Sequence, residues 1–283
     1  MNIGLVLSGG MAKGAYQIGA LKALEKFIPI HEIKCISCSS VGILNGFAFA
    51  TGRMQEAEHM WRHVCSDDSR MLFTKIVRSN MLQQNIQQLC DAADPLPMHF
   101  YCSLMDLGSG NIVYKDLREV DREQIPLYLK AGVAIPAYNR AVCIDGKSYY
   151  DGAFIDNIPL YPLIRHSLDF IIVIHFDDTY YKFENAQIDS KVIQLSVPSK
   201  NLLRELVTFS NANVDAMIEE GYKETLPILR MIFSNGYEDL ETVNQNIICL
   251  NKQHRDRSLR LTAGIIATNV NKITQMLTNR KIL

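Results

Sequence analysis

The chain has 283 residues, 48% apolar and 21% charged, which excludes a disordered polypeptide and supplies enough material for one large α/β domain. Its 29 basic and 30 acidic side chains nearly cancel, so no global field recruits nucleic acid or an anionic membrane. Of the seven cysteines only Cys35 and Cys38 have CxxC spacing, and no second pair or nearby histidines complete a metal site, so a scattered, odd set points to a reducing compartment.

The first residues, MNIGLVLSGG, lack the basic start and long apolar core of a secretory signal, and read instead as a first strand entering a glycine loop. No apolar run approaches the ~18 residues of a bilayer span, and the expected location is the cytoplasm. Residues 2–8 form a short, nearly continuous apolar strand of the kind buried on both faces. GGMAKG follows, then AYQIGALKALEKF with apolar side chains at helical spacing. KCISCS is a second short strand, VGILNGFAFA opens a second helix, and MQEAEHMWRHVC (54–65) is a third. This alternation predicts a parallel sheet covered by helices.

SNMLQQNIQQLCDAA reads as helical and DPLP ends it; MHFYCSLMDL and GNIVYKDL read as strands joined across a GSG turn. Residues 141–154 carry a hairpin signal with Asp145-Gly146 at the tight turn. FIIVIHF (170–176) and KVIQLSV (191–197) are two more buried strands, and residues 209–229 form a helix with Ser210 or Asn211 as its cap. Residues 225–283 read as helical and polar-faced, and no sharp linker precedes them.

Three segments carry candidate chemistry. In CISCSSVGILNG (35–46) a nucleophile elbow needs small residues two positions either side of its serine, because the strand-to-helix turn is tight. The only glycine in range is Gly42, which selects Ser40; on the other side stands Cys38, small but not glycine. Alone, the segment reads equally as a serine-rich helix cap. In SGGMAKG (8–14) a glycine pair before a helix can present N–H groups to an oxyanion or phosphate. It fails the P-loop pattern, since Ala15 and Tyr16 replace Lys and Ser/Thr, and adjacent Gly9 and Gly10 fail the dinucleotide spacing. In YYDGAFIDNIP (149–159) Asp151 ends a strand before Gly152 and Ala153, small enough for another backbone to approach; Asp145 and Asp156 sit in turn and loop contexts.

Taken together and in this order, the three segments resemble the patatin-like phospholipases. LSGGMAKGAYQIGALKAL resembles the family's glycine-rich oxyanion loop and helix, CISCSSVGILNG its serine elbow, and YYDGA its D-G-G/A motif. AIPAYN resembles the segment leading to the aspartate, and FSNANVDAMIEEGY a later helix ending in Gly-Tyr. The resemblance covers roughly residues 2–224, taken as a catalytic domain; residues 225–283 are taken as a helical extension packed on it. It implies a three-layer α/β/α sandwich with a mainly parallel sheet, and lipid acyl hydrolysis by a Ser–Asp dyad without metal or cofactor. Ser40 would be the nucleophile and Asp151 its base; Gly9, Gly10 and Met11 would supply the oxyanion hole, with Gly14, Gly42 and Gly152 as loop support. Lys13 has two readings, a group that orients the loop or faces an anionic head group, and an exposed lysine at a helix start.

The implied partner is a lipid or phospholipid in transient contact with a membrane surface, with no nucleic acid. His59 and His63, four apart on a helix, lack a third metal ligand, and His175 ends a buried strand as a structural residue. The chain departs from the family at Met11, where a glycine is replaced and positive φ would be penalised, and at Cys38, which replaces the first glycine of the elbow. These departures motivate a second reading, a catalytically weak protein of the same fold that binds an acyl ligand or a partner.

Overall fold

The computed structural model describes residues 1–63, 71–72, 80–91, 95–136, 138–176, 180–183, 186–197, 208–209, 213–253 and 258–261. In chain order, β1 (Ile3–Leu7) leads through a 3-10 turn (Met11–Lys13) into α1 (Gly14–Leu24), and β2 (Ile33–Cys38) leads into α2 (Val41–Ala50) and α3 (Met54–Arg62). After β3 (Met71–Leu72) come α4 (Asn80–Asp91), β4 (His99–Asp106), β5 (Ile112–Asp116) and α5 (Ile125–Gly132). The hairpin β6 (Val142–Ile144) and β7 (Lys147–Asp151) follows, then β8 (Phe170–His175), β9 (Tyr180–Phe183), α6 (Ala186–Asp189), β10 (Val192–Ser196) and β11 (Thr208–Phe209). The chain continues through α7 (Val214–Ile232), α8 (Leu240–Gln253) and β12 (Ser258–Leu261).

The central sheet runs β10-β8-β1-β2-β4-β7-β6, with β5 also paired to β4. Pairings among β10, β8, β1, β2 and β4 are parallel, and those of β4 with β5 and β7 are antiparallel. Every residue of β1 and β8 is buried, as their unbroken apolar sequences require of strands covered on both faces. One face carries the larger core, built with α1, α2, α7 and α8. The other face holds a smaller cluster of Val6, Cys35, Ile171, Val173 and Val192 under the segment that carries Ile158, Leu160, Leu163 and Leu168.

Helices α1 and α7 pack backbone to backbone. A methyl group on Gly19 would lie 1.9 Å from Ile218 O, and one on Gly221 would lie 2.0 Å from Tyr16 O. That close approach presses the helix behind the glycine loop firmly onto its neighbour.

Four expectations are corrected or displaced. The helix expected over 209–229 runs from Val214 to Ile232, with Phe209 in the short strand β11, so the boundary drawn at 224 falls inside one helix. Val243, Ile247 and Leu250 of α8 join the same core, so the C-terminal helices pack on this domain. Ser258–Leu261 is a strand paired with β9, not helix, and residues 262–283 lie outside the described residues. Ser210 and Asn211, named above as caps, also lie outside them. Among the described residues no helix is long and apolar enough to cross a membrane.

Candidate active site

The corner between β2 and α2 is strained at one residue. Ser40 has φ 52 and ψ −133, a conformation that costs a non-glycine residue on the order of 1–3 kcal/mol. It stands at the N-cap position of α2, yet its side chain makes no cap hydrogen bond. Of the two sequence readings of this serine, the cap is therefore removed, because the hydroxyl is turned elsewhere. The glycine argument holds in atomic terms: a methyl group on Gly42 would lie 2.6 Å from Leu7 O and 2.8 Å from Ser8 O. Only a glycine lets α2 begin this close to the end of β1.

Asp151 reaches the corner through the sheet. β2 pairs with β4 over residues 99–102, β7 pairs with it over residues 104–106, and β5 runs along 101–105. A strand has two edges, so β2 and β7 share one edge of β4 and meet end to end. Cys38 at the end of β2 pairs with Cys102, and Asp151 at the end of β7 pairs with Leu104. Two strand positions span roughly 7 Å, so the residues following Cys38 come up beside the aspartate. Gly152 permits this: a methyl group there would lie 2.5 Å from the Ser103 carbonyl carbon. The close backbone approach expected beside Asp151 is thus present.

The Asp151 side chain is 1% exposed, and its Oδ1 accepts the Ala153 N–H at 2.9 Å. Burial pushes its carboxyl up from 3.8 to about 7, opposed by hydrogen bonds from the Ser40 hydroxyl and from the N–H groups of Ala153 and Ser40. Ser40 is itself only 7% exposed. A buried carboxyl that can be half-protonated near neutrality, close enough to a strained serine for its hydroxyl to act on the titration, is placed to accept that serine's proton.

The glycine loop lies against Ser40. A methyl group on Gly9 would lie 2.6 Å from Ser40 Cβ and 2.6 Å from Asn157 Oδ1, and one on Gly10 would meet the Phe176 ring at 2.2 Å. Met11 has φ 52, the conformation that the replaced glycine would have taken without penalty. The Gly9 N–H is donated to Asn157 Oδ1 at 3.0 Å, and Asn157 Nδ2 donates back to Gly9 O at 3.3 Å. This corrects the expectation for Gly9: its N–H is engaged by a side chain, and it serves as the held end of the loop. The N–H groups of Gly10 and Met11, like that of Ala12, make none of the hydrogen bonds among the described residues.

Lys13 is 5% exposed, which removes its reading as an exposed helix-start lysine. Its Nζ donates to Phe176 O at 3.4 Å and sits 5.8 Å from the centre of the Phe176 ring, so it ties the loop to the chain leaving β8. Gly14 lies under Trp61, where a methyl group would meet the ring at 2.2 Å. Its carbonyl accepts from Asn45 Nδ2 at 2.9 Å. The same Asn45 amide donates to Gln17 Oε1 at 3.0 Å and accepts from Trp61 Nε1 at 2.8 Å, while Gln17 Nε2 donates to Ser8 O at 3.2 Å. This buried amide network fixes the glycine loop against α2 and α3.

Several of these residues escaped the sequence reading. Ser39 Oγ bonds Ser103 Oγ at 2.6 Å and donates to Asp156 O at 2.9 Å, pinning the elbow from beneath. Asp156 in turn accepts from Tyr114 OH at 2.6 Å, and burial raises its carboxyl. Asn157 had one signal in the sequence, its place in the DNIP segment just after the aspartate, which reads as an ordinary loop. Gln17, Asn45 and Trp61 had none, being spread over three helices.

Cys38 carries no strain. Among the described residues positive φ outside glycine occurs only at Met11, Ser40 and Asp145. Cys38 Sγ occupies space left by Gly46, where a methyl group would lie 2.5 Å from the sulfur. The His59 and His63 rings stack 4.0 Å apart, His175 packs against the rings of Tyr180 and Tyr181, and no metal-binding cluster is found among the described residues.

A strained serine corner, a glycine loop and a buried aspartate meet at one end of a mostly parallel sheet in an α/β protein. The family model of patatin-like phospholipases matches residues 5–164, and the chain belongs to that family. An uncharacterized NTE family protein of Mycobacterium tuberculosis is 24% identical over 180 residues, 61% of this chain and 48% of that protein. A lysophospholipase, nte1, of Aspergillus terreus is 26% identical over 175 residues, 56% of this chain and 11% of that one. The chain thus spans about half the length or less of these relatives. The crystal structure of VipD from Legionella pneumophila superposes with a TM-score of 0.47 at 11% identity, covering 99% of this chain and 80% of that one.

Proposed function

We propose that this protein is a serine acyl hydrolase that cleaves carboxylic ester bonds of lipids, of phospholipase A or lysophospholipase type. The observation that carries the reading is the buried Asp151 carboxyl at the end of β7, set by the register on β4 beside the strained, buried Ser40 at the end of β2. Membership of the patatin-like phospholipase family supports the lipid substrate, and the similarity to a lysophospholipase supports the deacylation chemistry.

In this mechanism Asp151 accepts the Ser40 proton as Oγ attacks the ester carbonyl carbon. The carbonyl π pair moves onto oxygen, and that oxyanion is met by the N–H groups of Gly10 and Met11 and by the positive end of α2. Collapse of the intermediate expels the alcohol, which takes the proton back from Asp151, and leaves an acyl-serine. Water attacks the acyl carbon with Asp151 again as base, releasing the fatty acid and free Ser40. Asn157 contributes by holding Gly9, and so the loop, in register with Ser40. Lipid is taken in transient contact with its surface.

The test is incubation of the protein with a diacyl phospholipid and a lysophospholipid, with products identified by mass spectrometry, beside the Ser40→Ala variant. Release of fatty acid that depends on Ser40 supports the reading. Turnover unchanged in the variant overturns the dyad. Failure of a fluorophosphonate probe to label Ser40 would favour the acyl-binding protein over the enzyme.

A further inference from the structure

A pocket of about 160 Å³ opens on the α-helical face, away from the serine corner. Its walls are Phe47, Leu96, Leu117, Val120 and Ile125, with Cys90 at its side. Phe47 lies seven residues beyond Ser40, roughly 10 Å along α2, and neither Ser40, Asp151 nor the glycine loop lines the space. The volume is close to the ~150 Å³ of an engineered apolar cavity that takes up benzene, so it suits a short stretch of alkyl chain.

The polar part of the lining is cationic. Arg118 and Arg122 both line the pocket and are exposed at its mouth. The backbone at Arg118 is held in place, because Asp116 Oδ1 accepts the N–H groups of both Phe100 and Arg118 at 3.1 Å. Two guanidinium groups on successive short turns beside an apolar hole, the first of them with its backbone anchored, match a molecule with an anionic head and an aliphatic tail.

The geometry points to this pocket as a second ligand site that binds a medium-chain fatty acid, its carboxylate on Arg118 and Arg122 and its chain against Phe47 and Leu117. The choice of a fatty acid among anionic amphiphiles rests on the proposed ester hydrolysis, which releases one; the pocket and its charge do not. Because Phe47 belongs to the helix that starts at the nucleophile, occupancy would be felt along α2.

Calorimetric titration of octanoate into the Ser40→Ala protein tests the site without any catalysis. One binding event is expected, weakened about tenfold or more by Val120→Trp, which fills the hole, and by the surface pair Arg118→Glu with Arg122→Glu. Octan-1-ol should be insensitive to the arginine pair. Absence of octanoate binding to the Ser40→Ala protein, or affinity untouched by both variants, would overturn the site. Octyl phosphate binding tenfold tighter than octanoate would overturn the carboxylate assignment. If a thermal melt shows that Val120→Trp does not fold, the arginine pair decides alone. Loss of esterase activity in the unmodified protein would sink the proposed function and leave this titration unaffected.

Discussion

Asp145 and Ser40 share a backbone sign that L-residues avoid, φ 49 at one and 52 at the other, in opposite surroundings. Asp145 is exposed at the tip of the β6–β7 hairpin, beside Gly146 with φ 76, where a tight turn demands positive φ and aspartate tolerates it. Ser40 is buried between a strand and a helix, and Met11, also at φ 52, stands in the glycine loop beside it. The hairpin relieves its conformation with suitable turn residues and water. The corner is held in place by packing on every side: Gly42 under β1, Gly9 against Ser40, Gly152 against β4, and the amide network of Gln17 and Asn45. Strain that tertiary structure must impose, at a residue with a reactive hydroxyl, is the mark of a site; the same strain in a solvated turn is not.

Substitutions graded by expected effect can break that contrast. Ser40→Ala should remove ester turnover, a fall of roughly 10³-fold or more measured with a chromogenic ester, while the melting temperature holds or rises. Asp151→Asn should lose nearly as much. The wild-type profile of kcat/KM against pH should rise through an acid-limb midpoint near the Asp151 value of about 7. Stability runs the other way. The folded-state value of about 7 lies above the ordinary 3.8, so the stability contributed by protonated Asp151 is complete below about 4 and is lost as pH climbs through 7. Denaturant titrations at pH 5 and pH 8 should show a larger drift in the wild type than in Asp151→Asn, where the raised Asp156 carboxyl still contributes.

Gly42→Ala should cost about 1–3 kcal/mol of stability and at least tenfold in activity, since its methyl group must displace the Leu7 and Ser8 carbonyls. Met11→Gly relieves positive φ but adds chain entropy, and should stabilise by roughly 0.5–1 kcal/mol in chemical denaturation with turnover retained. Asp145→Gly, at the same φ on the hairpin, should stay within about ±0.5 kcal/mol with activity unchanged. A large loss in that last variant would erase the distinction between the two regions.

Much of the fold was legible in local patterns. The unbroken apolar strands, the Asp-Gly hairpin and the GSG connection all form as their sequences require, because each depends on neighbours within a few residues. The spacing to Gly42 likewise marks Ser40 as the corner residue, and the tight space at Gly42 agrees with it. What stayed hidden depends on contacts between distant segments. α5 and the 3-10 turn of Tyr161–Arg165 lack clean periodicity, and α7 runs past the expected domain boundary because its second half still finds core to bury.

By itself the sequence determined which groups are present and what backbone they require: a serine before a glycine, a glycine pair after a strand, an aspartate before two small residues. Tertiary structure alone decided how they act together. β4 brings the ends of β2 and β7 to one edge, which sets Asp151 beside Ser40. Burial then raises the carboxyl, and Asn157 takes the Gly9 N–H so that the free donors of the loop lie one residue further on. Strand register, burial and a shared hydrogen bond are properties of pairs of segments far apart in the chain, and no local spacing encodes them.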